Sequence, residues 1–182
     1  MIQYDGAFTG LEAAIVMIAF VVVAAVFGIS VLSSGFYASE ETKETTVAGY
    51  KQASSTIYIE GGVYATLSNT TNALDKVWFA GAIPETGQPQ DLSKMIIVYT
   101  HSKETNKFRE YTYGGEFETD EKFGVDGGPV MLPGDKRIFR LGGVDGPIPG
   151  GWFTIEVKPQ MGAPTFVTYH LPDTFTGGSV LT

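Results

Sequence analysis

The sequence predicts an α+β protein, a long hydrophobic N-terminal helix followed by an antiparallel β-sandwich. Three observations predict it. Residues 13–32, AAIVMIAFVVVAAVFGISVL, form a run of twenty without a charge. Beyond residue 61, short stretches alternate apolar and polar residues, the period of two that a half-buried strand requires. Turn clusters separate those stretches, at 84–89, 126–129, 133–135 and 142–151, all rich in Gly, Pro or Asp. The boundaries read from this pattern are an N-terminal extension at 1–6, a helix at 7–60 and a β-domain at 61–182. About 120 residues outside the helix suffice for one domain with its own core.

The helix comes first. Twenty helical residues span about 30 Å, the thickness of a bilayer's hydrocarbon core. The run is apolar on every face, whereas a helix lying on a globular domain keeps a polar side. This helix is therefore surrounded, by lipid or by other helices. The flanks separate it from a secretory signal peptide or a positively anchored span. No Lys or Arg precedes the run, the first base is Lys43, and an acid, Glu12, stands directly before it. Its β-branched residues, Val16 and Val21–Val23 among them, suit close packing away from water. Glu12 has two readings: a first-turn acid favoured by the helix dipole, or a charge that needs a partner if buried.

Past Gly35 the segment FYASEETKETTVAGYKQASSTIYIE continues the helix with a mostly polar surface. Val47, Tyr50, Ser54 and Ile57 share one helical face, expected to meet the β-domain or adjacent subunits. Gly28, Ser33–Gly35 and Gly49 are points where a bend is easily absorbed. Gly61-Gly62 is the expected stop. A helix this long and this apolar is not stable alone in water, so it implies assembly.

The β-domain follows. Met95–Tyr99 reads as a short buried run, and Phe108–Tyr113 and Lys136–Leu141 as strands. Phe153, Ile155 and Val157 alternate with Thr154, Glu156 and Lys158. Val167, Tyr169 and Leu171 alternate with Thr168 and His170. Several short strands punctuated this way indicate an antiparallel sandwich.

Composition limits the chemistry. Cysteine is absent, so there is no disulfide, thiolate nucleophile or Cys-bound metal. A net charge of −8 repels nucleic acid and suits a solvated exterior. The two histidines, His101 and His170, stand at strand ends outside any triad-like context. Gly142–Gly151 lacks the helix and the Lys-Ser/Thr pair of a phosphate loop. Acids gather at Glu116, Glu118, Asp120, Glu121 and Asp126. Asp120 and Asp126 are the candidates for binding Ca²⁺, but the fixed pattern of a calcium loop is missing and Lys122 interrupts it, so a solvated loop is the favoured reading. Asn69-Thr70-Thr71 is an N-glycosylation sequon. No catalytic residue, cofactor or small-molecule substrate is expected.

Residues Ala7–Val16, AFTGLEAAIV, and Ile18–Ala25, IAFVVVAA, strongly resemble the N-terminus of archaellins, the flagellins of archaea within the type IV pilin superfamily. Gln52–Ser55, Ile155–Pro159 and Gly162–Pro164 continue the resemblance, which touches both ends of the chain and leaves the middle unmatched. It implies an immunoglobulin-like form of the sandwich. It implies a homopolymer, in which related archaellins can join, with Ile15, Ile18, Val22, Ala25 and Ile29 in the filament core. It implies a prepilin-type peptidase that cuts after Gly6, before Ala7, although Met1–Asp5 lacks the bases usual near such a cut. Glu12 would dock an incoming subunit by pairing with a neighbour's N-terminal amine. The expected product is an extracellular, glycosylated swimming filament, its subunits held in the membrane before assembly and served there by motor and assembly proteins. An adhesive type IV pilin and a membrane-anchored extracytoplasmic β-domain are the alternatives.

Overall fold

The computed structural model describes residues 5–104, 107–119 and 121–181. Two units divide the chain, the first ending at Ala48 and the second running from Gly49 to the C-terminus.

One helix, α1, covers Asp5–Ser54, 50 residues or about 75 Å. It passes without interruption through Gly28, Ser33–Gly35 and Gly49. Its hydroxyls bond back into the helix: Ser30 Oγ donates to the Val26 carbonyl at 3.0 Å and Ser34 Oγ to the Ser30 carbonyl at 2.9 Å. Thr42, Thr45 and Thr46 do the same with the carbonyls of Ala38, Glu41 and Thr42. A hydroxyl satisfied by its own helix demands nothing from its surroundings, so Ser30 and Ser34 are compatible with an apolar environment.

The helix stops at Ser54, short of the expected Glu60, and the Gly61-Gly62 pair does not stop it. Residues from Tyr58 onward are claimed by a strand, β1, at Tyr58–Leu67. Ser54, Ser55 and Thr56 are poor helix formers with hydroxyls that compete for backbone. Ser55 Oγ donates to the Lys51 carbonyl at 2.5 Å, and Ile57 drops into the core, fully buried. Gly61, at φ +78°, supplies a left-handed residue at a bulge between Glu60 and Tyr64.

The strands after β1 are β2 at Leu74–Ala82, β3 at Gln90–Asp91, β4 at Ile96–His101, β5 at Arg109–Tyr113, β6 at Lys122–Val125, β7 at Val130–Met131, β8 at Lys136–Leu141, β9 at Trp152–Lys158, β10 at Thr165–His170 and β11 at Ser179–Leu181. Among the described residues, nine of them pair in the order β10-β9-β4-β5-β6-β8-β2-β1-β11, while β3 and β7 pair apart. Pairing is antiparallel except between β5 and β6, where Thr112 and Tyr113 lie opposite Lys122 and Phe123. This parallel contact joins the two halves of the sandwich into one continuous ladder.

Alternate residues of the facing strands point into the core. In β9 these are Phe153, Ile155 and Val157, opposite His101, Tyr99 and Ile97 of β4. In β8 they are Phe139 and Leu141, opposite Phe79 and Val77 of β2. Both halves contribute to a single hydrophobic cluster, so the sheet folds over one core. Stacked rings fill it, Phe79 on Phe139 at 5.3 Å and Phe153 on Tyr169 at 5.7 Å, an arrangement that adds to area burial.

Candidate functional site

In the first unit the site is a surface. From Leu11 to Tyr37 every large apolar side chain of α1 is exposed: Val22 is 55% exposed and Phe20 77%. The exposed residues occupy the whole circumference. Ile15, Ile18, Val22, Ala25 and Ile29, the expected filament-core residues, are exposed, as are Val16, Phe20 and Val23 on other faces. By length and composition the helix could cross a membrane. An apolar surface of this extent on a single chain marks a region that another apolar body covers.

Glu12 lies in the helix about two turns beyond Asp5. Gly6 and Ala7 are also helical. Residues 1–4 of the expected leader lie outside the described residues.

The second unit separates the residues from which chemistry was considered. His101 is buried at the end of β4, its ring 5.6 Å from that of Tyr99. His170 is exposed at the end of β10. His101 pairs with Phe153 and His170 with Trp152, so neighbouring positions of β9 place the two histidines on opposite faces of the sheet. They do not converge. The phenol of Tyr99 is pushed upward by burial, which keeps it neutral.

The acidic segment is engaged by protein cations. Asp126 accepts from Arg140 Nη2, and Arg140 Nη1 also reaches the Glu116 carbonyl at 2.7 Å. The Arg140 hydrogen bond holds the Asp126 carboxyl below its ordinary value, against a small opposing effect of burial. Glu118 pairs with Lys76 at 3.2 Å. Burial alone would raise its pKa, but the backbone amide of Glu118 and the Lys76 ammonium outweigh that and lower it. Asp120 lies outside the described residues. Among those residues no group of three His, Asp or Glu is placed to hold a metal.

Asn69 occupies the loop between β1 and β2. The Ser68 amide donates to the Ala73 carbonyl at 2.8 Å and the Asn72 amide to the Ser68 carbonyl at 3.0 Å, closing the loop. Asn69, Thr70 and Thr71 are all exposed on it. The sequon is thus sterically open.

One functional-looking residue escaped sequence reasoning. Gln90 is 2% exposed and bonds the end of α1 to the β9–β10 turn. A single Gln after a Pro-rich turn carries no periodic or spacing signal, so nothing in the sequence marked it.

Known proteins bear on this arrangement. The pattern described as archaeal-type flagellin matches residues 7–169. Probable flagellin 2 of Archaeoglobus fulgidus is 34% identical over 192 residues, spanning 93% of this chain and 91% of that one. Among solved structures, the archaeal flagellum of Methanospirillum hungatei is similar at a TM-score of 0.67 and 34% identity, covering 95% of this chain and 99% of that chain. An archaeal flagellin of Methanocaldococcus jannaschii, at 14% identity and a TM-score of 0.53 over 66% of this chain and 93% of that chain, shares the fold. The chain belongs to the archaeal-type flagellins, the structural subunits of the archaellum filament.

Proposed function

We propose that copies of this chain polymerise through α1, the apolar helices forming a filament core and the β-domains its outer wall. The observation that carries the reading is the fully apolar, exposed circumference of α1 between Leu11 and Tyr37. Burying one Val, Leu, Ile, Phe or Met side chain is worth about 1.5–3 kcal/mol, so packing this surface yields tens of kcal/mol before the entropic costs of association. Contacts between unlike patches that do not close a ring extend into an open helix. The filament is extracellular, turned by a motor at its base, and the same helix sits in lipid before assembly. Its work is mechanical, and the reading calls for no cofactor.

Three residue roles belong to the same proposal. The leader is cut between Gly6 and Ala7. Glu12 then meets the new amine of a neighbouring subunit, the opposite charge that an acid buried among packed helices requires. Asn69 carries an N-linked glycan that projects from the filament wall.

The test uses cells that express the intact protein. Filaments sheared from them, viewed by electron microscopy, should contain this chain. Val22→Asp or Ala25→Asp should abolish them, because a carboxylate in the packed core has no cationic partner and costs several kcal/mol per copy. Wild-type filament yield from either variant would sink the reading. Recovery of the wild-type chain only with membranes would favour an anchored domain instead.

A further inference from the structure

The neck of the second unit holds a buried polar knot. Gln90 sits on the short strand β3, paired with Met131 of β7, and is 2% exposed. Its Nε2 donates to the Ser55 carbonyl at 3.0 Å and to the Met161 carbonyl at 3.0 Å. Its Oε1 receives the Met161 amide at 3.4 Å. Ser55 is itself fully buried. Its hydroxyl donates to the Lys51 carbonyl in the last helical turn and accepts the Gln88 amide at 3.2 Å. Two outer bonds flank the knot: Thr56 Oγ1 accepts the Ala163 amide at 3.1 Å, and Gln52 Nε2 reaches the Gly162 carbonyl at 3.4 Å.

The chemistry selects a primary amide at position 90. Two buried carbonyls need two donors, and the amide NH₂ supplies both from one nitrogen while its oxygen takes the returning N–H. An ionised Glu offers only acceptors. A hydrophobic residue of similar volume would leave both carbonyls buried without their partner, the expensive way to lose a hydrogen bond. The knot joins three segments far apart in sequence: the helix exit, the β3 segment and the β9–β10 turn. None of the three is tied to the others by a main ladder of the nine-stranded sheet.

We infer that Gln90 is a positioning residue for assembly: it locks the last helical turn, Gly49–Ser54, and the exit at Ser55 onto the β9–β10 turn, so that every copy enters a filament with the same neck. Regular helical order requires subunits alike at the point where core and wall are joined, and a neck free to vary would spread that order out. The inference rests on the filament reading above, yet the lock can be measured without filaments.

Gln90→Leu is the principal variant, in the full chain. Hydrogen exchange in detergent micelles reads the lock. The Met161, Gln88 and Ala163 amides should exchange about tenfold faster than in the wild type, with amides of the β2–β8 ladder unchanged, as expected for local opening. Electron microscopy of sheared cells reads assembly: filaments should be lost or show irregular twist and curvature. Thr56→Val, which deletes one outer bond at constant shape, should give a milder form of both effects and decides the matter if Gln90→Leu does not fold. Unchanged exchange at the neck would overturn the lock. Faster exchange with filaments of wild-type helical order would overturn its role in assembly. Failure of the wild type to appear in filaments would remove the filament reading and the assembly role with it, while the exchange result still decides the lock.

Discussion

Asp126 and Arg140 show how single residues of the acidic segment are used. Their ion pair lies at the surface, with the Asp126 side chain 64% exposed, and the Arg140 hydrogen bond lowers the Asp126 pKa from its ordinary 3.8. Asp135 is lowered too, first by the Leu132 amide and then by Arg137. A depressed folded-state pKa contributes stability that is fully present above the unfolded value and is lost as pH falls through the folded one. Melting of the full chain in detergent should therefore hold steady from neutrality to about pH 5 and decline between about pH 4 and pH 2. Arg140→Gln returns Asp126 toward its ordinary value, so the variant's acid decline should be shallower while its melting temperature near neutrality is slightly lower. An equally steep decline in the variant would refute the role given to this pair. The charges of this segment were readable in the sequence, but their partners were not. Glu118 and Lys76 stand on distant parts of the chain, and only the folded sheet brings them together. The same limit hid Gln90, whose importance comes entirely from what surrounds it.

Elements were legible where one local pattern decides them. β8 covers the expected Lys136–Leu141, and β9 buries Phe153, Ile155 and Val157 as its period of two requires. The apolar run made α1 unmistakable. Its C-terminal end was harder to place, because Val47, Tyr50 and Ile57 match helical spacing while Tyr58-Ile59 and the β1 ladder compete for the same residues. Tertiary pairing prevailed: Tyr58, Ile59 and Glu60 face Ala82, Gly81 and Ala80 of β2. The parallel contact of β5 with β6 had no local signal, since pairing between segments is a property of topology. Ile57 distinguishes the two accounts of the helix end. On a helix face it would share its burial with a neighbour, whereas here it is enclosed by the domain's own core. Ile57→Ala should then lower the unfolding free energy by about 2–4 kcal/mol, seen as a displaced denaturation midpoint of the unassembled chain in detergent. A change under about 0.5 kcal/mol, the range of ordinary surface substitutions, would place Ile57 outside the core.

At the scale of the whole molecule, attraction and repulsion occupy different stretches of the chain. The charged residues before Lys43 are Asp5, Glu12, Glu40 and Glu41, none of them between residues 13 and 39, so the apolar stretch carries none of the net −8. The surface that drives assembly is neutral, and the surface brought close by assembly is acidic. Salt acts on these two terms differently. Apolar burial is not weakened by moderate NaCl, while repulsion between acidic copies is screened as the Debye length falls from about 30 Å at 0.01 M to about 8 Å at 0.15 M. Short ion pairs such as Lys136–Glu60 lie within single domains and change little between free and assembled states. Raising NaCl from about 0.01 M to about 0.15 M should accordingly stabilise filaments, with the midpoint of their thermal disassembly, followed by light scattering, moving upward by several degrees. A midpoint that falls with salt would mean that ion pairs between subunits, rather than neutral helices, hold the filament together, and would transfer the assembly energy from α1 to the β-domain wall.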